Sequence, residues 1–159
     1  MAARYKRLYL RSMSDSISTS SAPKPVGSYP HARKVGDLLF LSGVGPRVAG
    51  SGDGDSKVPG LELSEAGEVI SFDFAAQVHA VLGNVKSVLE ASGSSWENLV
   101  DITVFLVNME RDFKTFNKIY AEYFPASSEN RPCRTTVEIN CLPTPIAIEL
   151  KCIATVNNI

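Results

Sequence analysis

Two residues near the C-terminus carry opposite charges at a spacing that could do chemistry. Arg134 stands in Pro132-Cys133-Arg134-Thr135-Thr136, and Glu149 follows in Ala147-Ile148-Glu149-Leu150. A guanidinium is a planar fork that holds a carboxylate through two parallel hydrogen bonds, and a carboxylate can orient or deprotonate a water. Together they suit a reaction in which an acidic substrate is anchored beside a carbon that water attacks. A cross-strand ion pair, common on neighbouring strands, would use the same two residues. Residue types alone leave both readings open.

Other chemistries have less to work with. Cys133, Cys141 and Cys152 are an odd set with no CxxC pair, and the chain has only 2 histidines, so neither a disulfide scaffold nor a zinc site is expected. Reduced thiols point to an intracellular protein, and Cys141 and Cys152, in strand-like segments, read as small apolar filling. The 16 Lys and Arg against 17 Asp and Glu leave a net charge of -1, which provides no positive field for nucleic acid or an anionic membrane. Apolar runs such as residues 102–109 fall far short of the roughly 20 residues that cross a bilayer. Gly50, Gly52 and Gly54 sit among Ser and Asp, and Lys57 leads only to Pro59, so Val48 to Pro59 reads as a mobile surface loop and not a phosphate cradle.

The elements that must position Arg134 and Glu149 follow from apolar spacing. At 159 residues with 44% hydrophobic, one domain is expected. Residues 1–21, basic and Ser-rich with one acid, read as a flexible tail with the bias of a mitochondrial transit peptide, and 22–159 as the domain. Val35 to Ser42 reads as a strand stopped by Gly43. Phe74, Val78, Val81, Leu82, Val85, Val88 and Leu89 give a helix over 73–92 with Gly93 as its stop. Leu99 to Val107 is a strand. Asp112 to Phe124 is a helix with Asp112 as N-cap, and its aromatic face reads as core. Strands over 134–140 and 146–156 close the order β-β-α-β-α-β-β. That order makes a two-layer α+β domain with both helices on one face of a sheet. The other face, carrying Ala147, Glu149, Lys151 and Ile153, is mixed, as suits an oligomer interface enclosing polar sites.

The chain resembles the Rid (YjgF/YER057c/UK114) family across about residues 22–156. Val26-Gly27-Ser28-Tyr29-Pro30-His31-Ala32 looks like the family's Gly-Pro-Tyr-Ser-Gln-Ala segment, and Leu41-Ser42-Gly43 before Gly45-Pro46 like its Ser-Gly turn. Pro132-Cys133-Arg134, Leu142-Pro143 and Ile148-Glu149-Leu150 follow its C-terminal signature. The resemblance implies a chorismate-mutase-like fold, a homotrimer with sites in the subunit clefts, and hydrolysis of enamines and imines without a cofactor or metal. It implies that Arg134 anchors the substrate carboxylate, Glu149 orients the water and Tyr29 supplies a hydroxyl. Ser42, Gly43, His31, Asn108 and Thr136 would contact substrate. His31 replaces the usual Gln, and Thr136 stands where the family often has Cys, so no thiol is available there. Gly-Ser-Tyr-Pro-His-Ala-Arg, Asn-Met-Glu-Arg-Asp-Phe and Arg-Thr-Thr-Val-Glu are most similar to the 2-aminomuconate deaminase branch.

A protonated imine carbon is already electrophilic, which leaves positioning and proton transfer to the protein. With 2-aminomuconate a second carboxylate needs a second donor, for which His31, Arg33 and Arg47 are candidates. Three alternatives stand beside this reading. They are a general 2-imino-acid deaminase acting on substrates such as 2-iminopropanoate, a non-catalytic 2-oxo-acid-binding trimer, and an RNA-cleaving protein, which the balanced charge disfavours. The expected setting is the cytoplasm, or the mitochondrion if the tail is a transit peptide, with a small carboxylate as ligand and neither nucleic acid nor membrane as partner.

Overall fold

The computed structural model describes residues 14–51 and 57–156. In chain order the elements are β1 (Ser14–Ile17), β2 (Ala32–Val35), β3 (Leu38–Leu41), β4 (Leu61–Leu63), β5 (Val69–Phe72), α1 (Phe74–Ala91), β6 (Leu99–Leu106), α2 (Met109–Tyr123), β7 (Cys133–Glu138) and β8 (Ile148–Thr155). Six strands form one sheet in the order β1-β2-β3-β8-β6-β7, while β4 and β5 form a separate hairpin.

Period-2 alternation decides which side of the sheet is core. In β8, Ile148, Leu150, Cys152 and Ala154 are fully buried, as are Ile102, Val104 and Leu106 of β6. The stripe of α1 (Phe74, Val78, Val81, Leu82, Val85, Val88 and Leu89) and Phe116 and Ile119 of α2 pack into the same core. Both helices therefore cover one face, the expected two-layer α+β arrangement. The open face carries Val35, Leu38 and Phe40, exposed at 45%, 41% and 37%.

The helix ends follow their capping chemistry. Asp73 caps α1 by accepting from the Ala76 N–H at 3.0 Å. Gly93, at φ 71°, ends it, with the Gly93 and Ser94 N–H groups donating back to the Glu90 and Leu89 carbonyls, a Schellman ending. For α2 the expected cap is corrected. Asn108, not Asp112, accepts from Arg111 N–H at 2.8 Å. Asp112 lies inside the helix, 2% exposed, where Arg111 neutralises it through two bonds of 2.8 and 2.7 Å.

Other expectations change as well. The single strand over 35–42 is a hairpin, because Gly36 at φ 61° turns the chain between β2 and β3. Among the described residues five strands, not two, precede α1. Part of the expected tail belongs to the sheet, since Ser14–Ile17 pair antiparallel with β2; residues 1–13 lie outside the described residues. Val58, in the segment expected to pack nothing, is 5% exposed. Cys152 is buried as expected, whereas Cys141 is exposed and fills no core. β7 and β8 are not neighbours either. β6 lies between them, parallel to β7 and antiparallel to β8, so the 139–147 connection passes over the end of β6.

Candidate functional site

Glu149 projects from the open face of β8, on the side shared by its register partner Phe105. Its carboxylate lies against Gly43. A Cβ built on that glycine would stand 2.8 Å from Glu149 Cδ and closer still to Oε1. Gly43 is held there because the Val44 and Leu150 backbones exchange hydrogen bonds of 2.8 and 2.9 Å. Burial pushes the Glu149 carboxyl up from its ordinary range, against the opposing pull of Arg47 and Lys151. A carboxyl raised in this way gives and takes protons nearer neutrality than a solvated one.

The cleft beside Gly43 is lined by Pro23, Tyr29, His31, Ser42, Gly43 and Arg47, among others. Tyr29 is 43% exposed and stands at the rim, its N–H donating to the Gly27 carbonyl at 3.0 Å. Ser42 straps the entrance strand, with Oγ donating to the Pro30 carbonyl at 2.7 Å and N–H to the His31 carbonyl at 2.9 Å. His31 is 8% exposed with both ring nitrogens engaged. Nδ1 accepts from the Thr19 N–H at 3.2 Å, which leaves Nε2 to donate to the Pro23 carbonyl at 2.9 Å. His31 thus latches the 19–23 segment over the cleft and has no donor left for a second carboxylate. Arg47 anchors its Nη2 on the Lys24 carbonyl at 2.6 Å.

Arg134 is elsewhere. Its register partner is Ile102, which in turn pairs with Cys152, and both are core residues. Arg134 therefore faces the helices while Glu149 faces away from them. Its guanidinium carbon lies 4.6 Å from the Tyr120 ring centroid and 5.4 Å from that of Phe116. The expectation that Arg134 and Glu149 meet on adjacent strands fails within one chain, because they stand two strands apart on opposite faces. Thr136 shares the Arg134 face, and its Oγ1 is buried with no hydrogen-bond partner. Asn108 engages its side-chain oxygen in capping α2 and is not among the residues that line the Gly43 cleft.

Two positioning residues were not singled out in the sequence. Asn84 Nδ2 donates to the Gly45 and Arg47 carbonyls at 2.9 and 2.8 Å, fixing the loop that carries Gly43 and Arg47. Gln77, 1% exposed, accepts from the Ala147 N–H at 2.8 Å, fixing the approach to Glu149. The available signal was a polar side chain inside the apolar stripe of α1.

Fold and site together define a two-layer α+β protein with a half-buried carboxylate on its open face, packed against a glycine that lines a cleft. The family model for Endoribonuclease L-PSP matches residues 19–156, and the chain belongs to that family, the Rid (YjgF/YER057c/UK114) proteins. A RutC family protein of Pyrococcus horikoshii is 38% identical over 142 residues, covering 89% of this chain and 98% of that one. Reactive Intermediate Deaminase A, chloroplastic, of Arabidopsis thaliana is 39% identical over 139 residues, which are 87% of this chain and 64% of the relative. The crystal structure of E. coli TdcF with bound serine superimposes with a TM-score of 0.73 at 27% identity, covering 90% of this chain and 99% of that one. Among the described residues, no helix is long and apolar enough to cross a membrane.

Proposed function

We propose that this protein is a deaminase that adds water to an imine acid and releases the oxo acid and ammonia. The observation that carries the reading is Glu149, half-buried with its carboxyl pushed up by burial, nested against Gly43, which lines the cleft rimmed by Tyr29. Glu149 takes a proton from water as the oxygen adds to the imine carbon. It returns the proton to the nitrogen, and the tetrahedral amino alcohol collapses to the ketone and ammonia. A relative named Reactive Intermediate Deaminase supports the reaction class.

Arg134 completes this site only from a second copy, because within one chain it faces away from Glu149. We place the sites in the clefts of a homotrimer, each with Glu149, Tyr29 and Gly43 from one copy and Arg134 and Thr136 from the next. The exposed Val35, Leu38 and Phe40 on the Glu149 face favour such an assembly. A non-catalytic 2-oxo-acid-binding trimer would have no use for a desolvated carboxyl beside its anchor. The RNA-cleaving reading suggested by the family's name has no free histidine pair to use. His31 is fully bonded, and His79 Nδ1 is bonded to the Tyr123 hydroxyl at 3.0 Å.

For the substrate we favour 2-aminomuconate, since Arg47 lines the cleft as a cation for a distal carboxylate. A short 2-imino acid is the second reading, favoured by the serine bound to TdcF. The test is ammonia release by the purified protein from enzymatically generated 2-aminomuconate and, separately, from 2-iminopropanoate. Faster release from the first is expected, and the reverse order assigns the short substrate. Release from neither overturns the deaminase reading.

A further inference from the structure

Phe116 and Tyr120 on α2 and Phe124 at its C-terminal cap, four residues apart, form a continuous aromatic stripe. Tyr120 packs between its neighbours, with ring centroids 5.4 Å from Phe116 and 4.5 Å from Phe124, and Phe124 stacks on Trp96 at 5.1 Å. The Arg134 guanidinium rests on this stripe, over Tyr120 and Phe116. Among the described residues no carboxylate lies within ion-pairing distance of it. Arg134 is thus located by ring faces and not by an anion. We propose that Tyr120, seconded by Phe116, is a positioning residue that holds the Arg134 fork flat and unspent for the substrate carboxylate.

This inference rests on the reading of Arg134 as the carboxylate anchor, and it explains how an anchor can be held in place without an anionic partner of its own. An acidic partner would order the guanidinium equally well, but it would occupy the N–H groups that the substrate needs. An aromatic face attracts the cation through its π cloud and leaves the N–H edge open. Tyr120 has one feature that could spoil this, its hydroxyl, whose anion would compete for the guanidinium. That hydroxyl is buried with no partner, and burial pushes its pKa up to about 12 despite the pull of Arg134. The ring therefore stays neutral across the physiological range, and what Arg134 receives from residue 120 is a ring face.

The experiment compares Tyr120→Leu, Tyr120→Phe, Arg134→Lys and the double variant Tyr120→Leu/Arg134→Lys. KM and kcat for 2-iminopropanoate and the Kd of pyruvate by calorimetry are the readouts, with Trp96 emission and Tm as fold controls. Tyr120→Leu is expected to raise KM and the pyruvate Kd about tenfold, with kcat within about twofold, on the scale of a partly desolvated cation–π contact. Tyr120→Phe restores both values, since the ring is kept. On the Arg134→Lys background the leucine substitution costs little more, because its effect passes through the guanidinium. Wild-type KM and Kd in folded Tyr120→Leu, or an undiminished penalty in the double variant, would overturn the proposal. If Tyr120→Leu does not fold, Tyr120→Met supplies the same comparison with an adaptable filler. Arg134→Lys behaving like wild type would instead overturn the anchor reading beneath it.

Discussion

The Glu149 carboxylate occupies the space that a side chain at position 43 would fill, with Cδ 2.8 Å from the place of a Gly43 Cβ. Gly43 is not among the glycines with positive φ, so an alanine meets no backbone strain there. What it meets is the end of a side chain that can swing aside. Gly43→Ala should therefore leave Tm nearly unchanged while displacing the carboxylate from its present position. Deaminase turnover should fall by on the order of 100-fold, the scale of an ångström-sized misplacement of a catalytic group. Near-wild-type turnover with an unchanged Tm would show that this contact is incidental.

Glu149→Gln separates chemistry from stability. The amide keeps the shape but accepts no proton, so turnover should drop by roughly 100-fold or more while carboxylate binding persists. The stability effect runs the other way. The folded-state pKa is raised above the unfolded value, so the folded protein binds more protons through that window and loses stability as pH rises across it. The substitution removes this penalty. Tm of Glu149→Gln should exceed wild type at neutral pH, and the gap should close as pH falls below the ordinary carboxylate range. Melting curves across pH check this, and a gap that widens in acid contradicts it.

Much of the architecture is legible because burial repeats with the period of the element. The stripe of α1, the span of β6, the alternation in β8 and the stop at Gly93 all lie at their expected positions, give or take a residue. Partners are not legible in the same way. Nothing in the alternation of β7 says that it runs parallel to β6, yet that one pairing sends Arg134 and Glu149 to opposite faces. Asn108 and Asp112 are both good caps by residue type, and what separates them is that Asp112 is buried beside Arg111. His31 looks like a donor in sequence because its two backbone partners, at Thr19 and Pro23, come together only in the fold. β1 lacks apolar alternation and takes its order from hydrogen bonds to β2.

Arg47 should distinguish the two candidate substrates. It lines the cleft and lies near enough to Glu149 to pull its pKa down. If it also holds a distal carboxylate, Arg47→Gln will raise KM for 2-aminomuconate by about tenfold or more, the scale of a lost charge-assisted hydrogen bond. The effect on KM for 2-iminopropanoate, which has only one carboxylate, should be much smaller. Equal effects on both substrates would confine Arg47 to tuning Glu149 and holding the Lys24 carbonyl.

The opposite placement of Arg134 and Glu149 makes the interfacial site testable without a structure of the assembly. If Arg134 is the anchor and Glu149 the base, Arg134→Ala and Glu149→Gln are each expected to be nearly inactive on their own. If every site takes its base from one copy and its anchor from the next, the two variants repair one another when mixed. A site with the alanine copy supplying Glu149 and the glutamine copy supplying Arg134 is wild type. After unfolding and refolding together in equal amounts, about one site in four should have that composition, by random assembly of a cyclic oligomer. Ammonia release near a quarter of the wild-type rate is the expected result, against the residual rates of the separately refolded variants. A site contained in one chain cannot be repaired by mixing, so a co-refolded sample no more active than the mean of its parents would sink the shared-site arrangement. Sedimentation equilibrium on the same samples guards against a trivial failure, since a monomer at micromolar concentration would also remove the model.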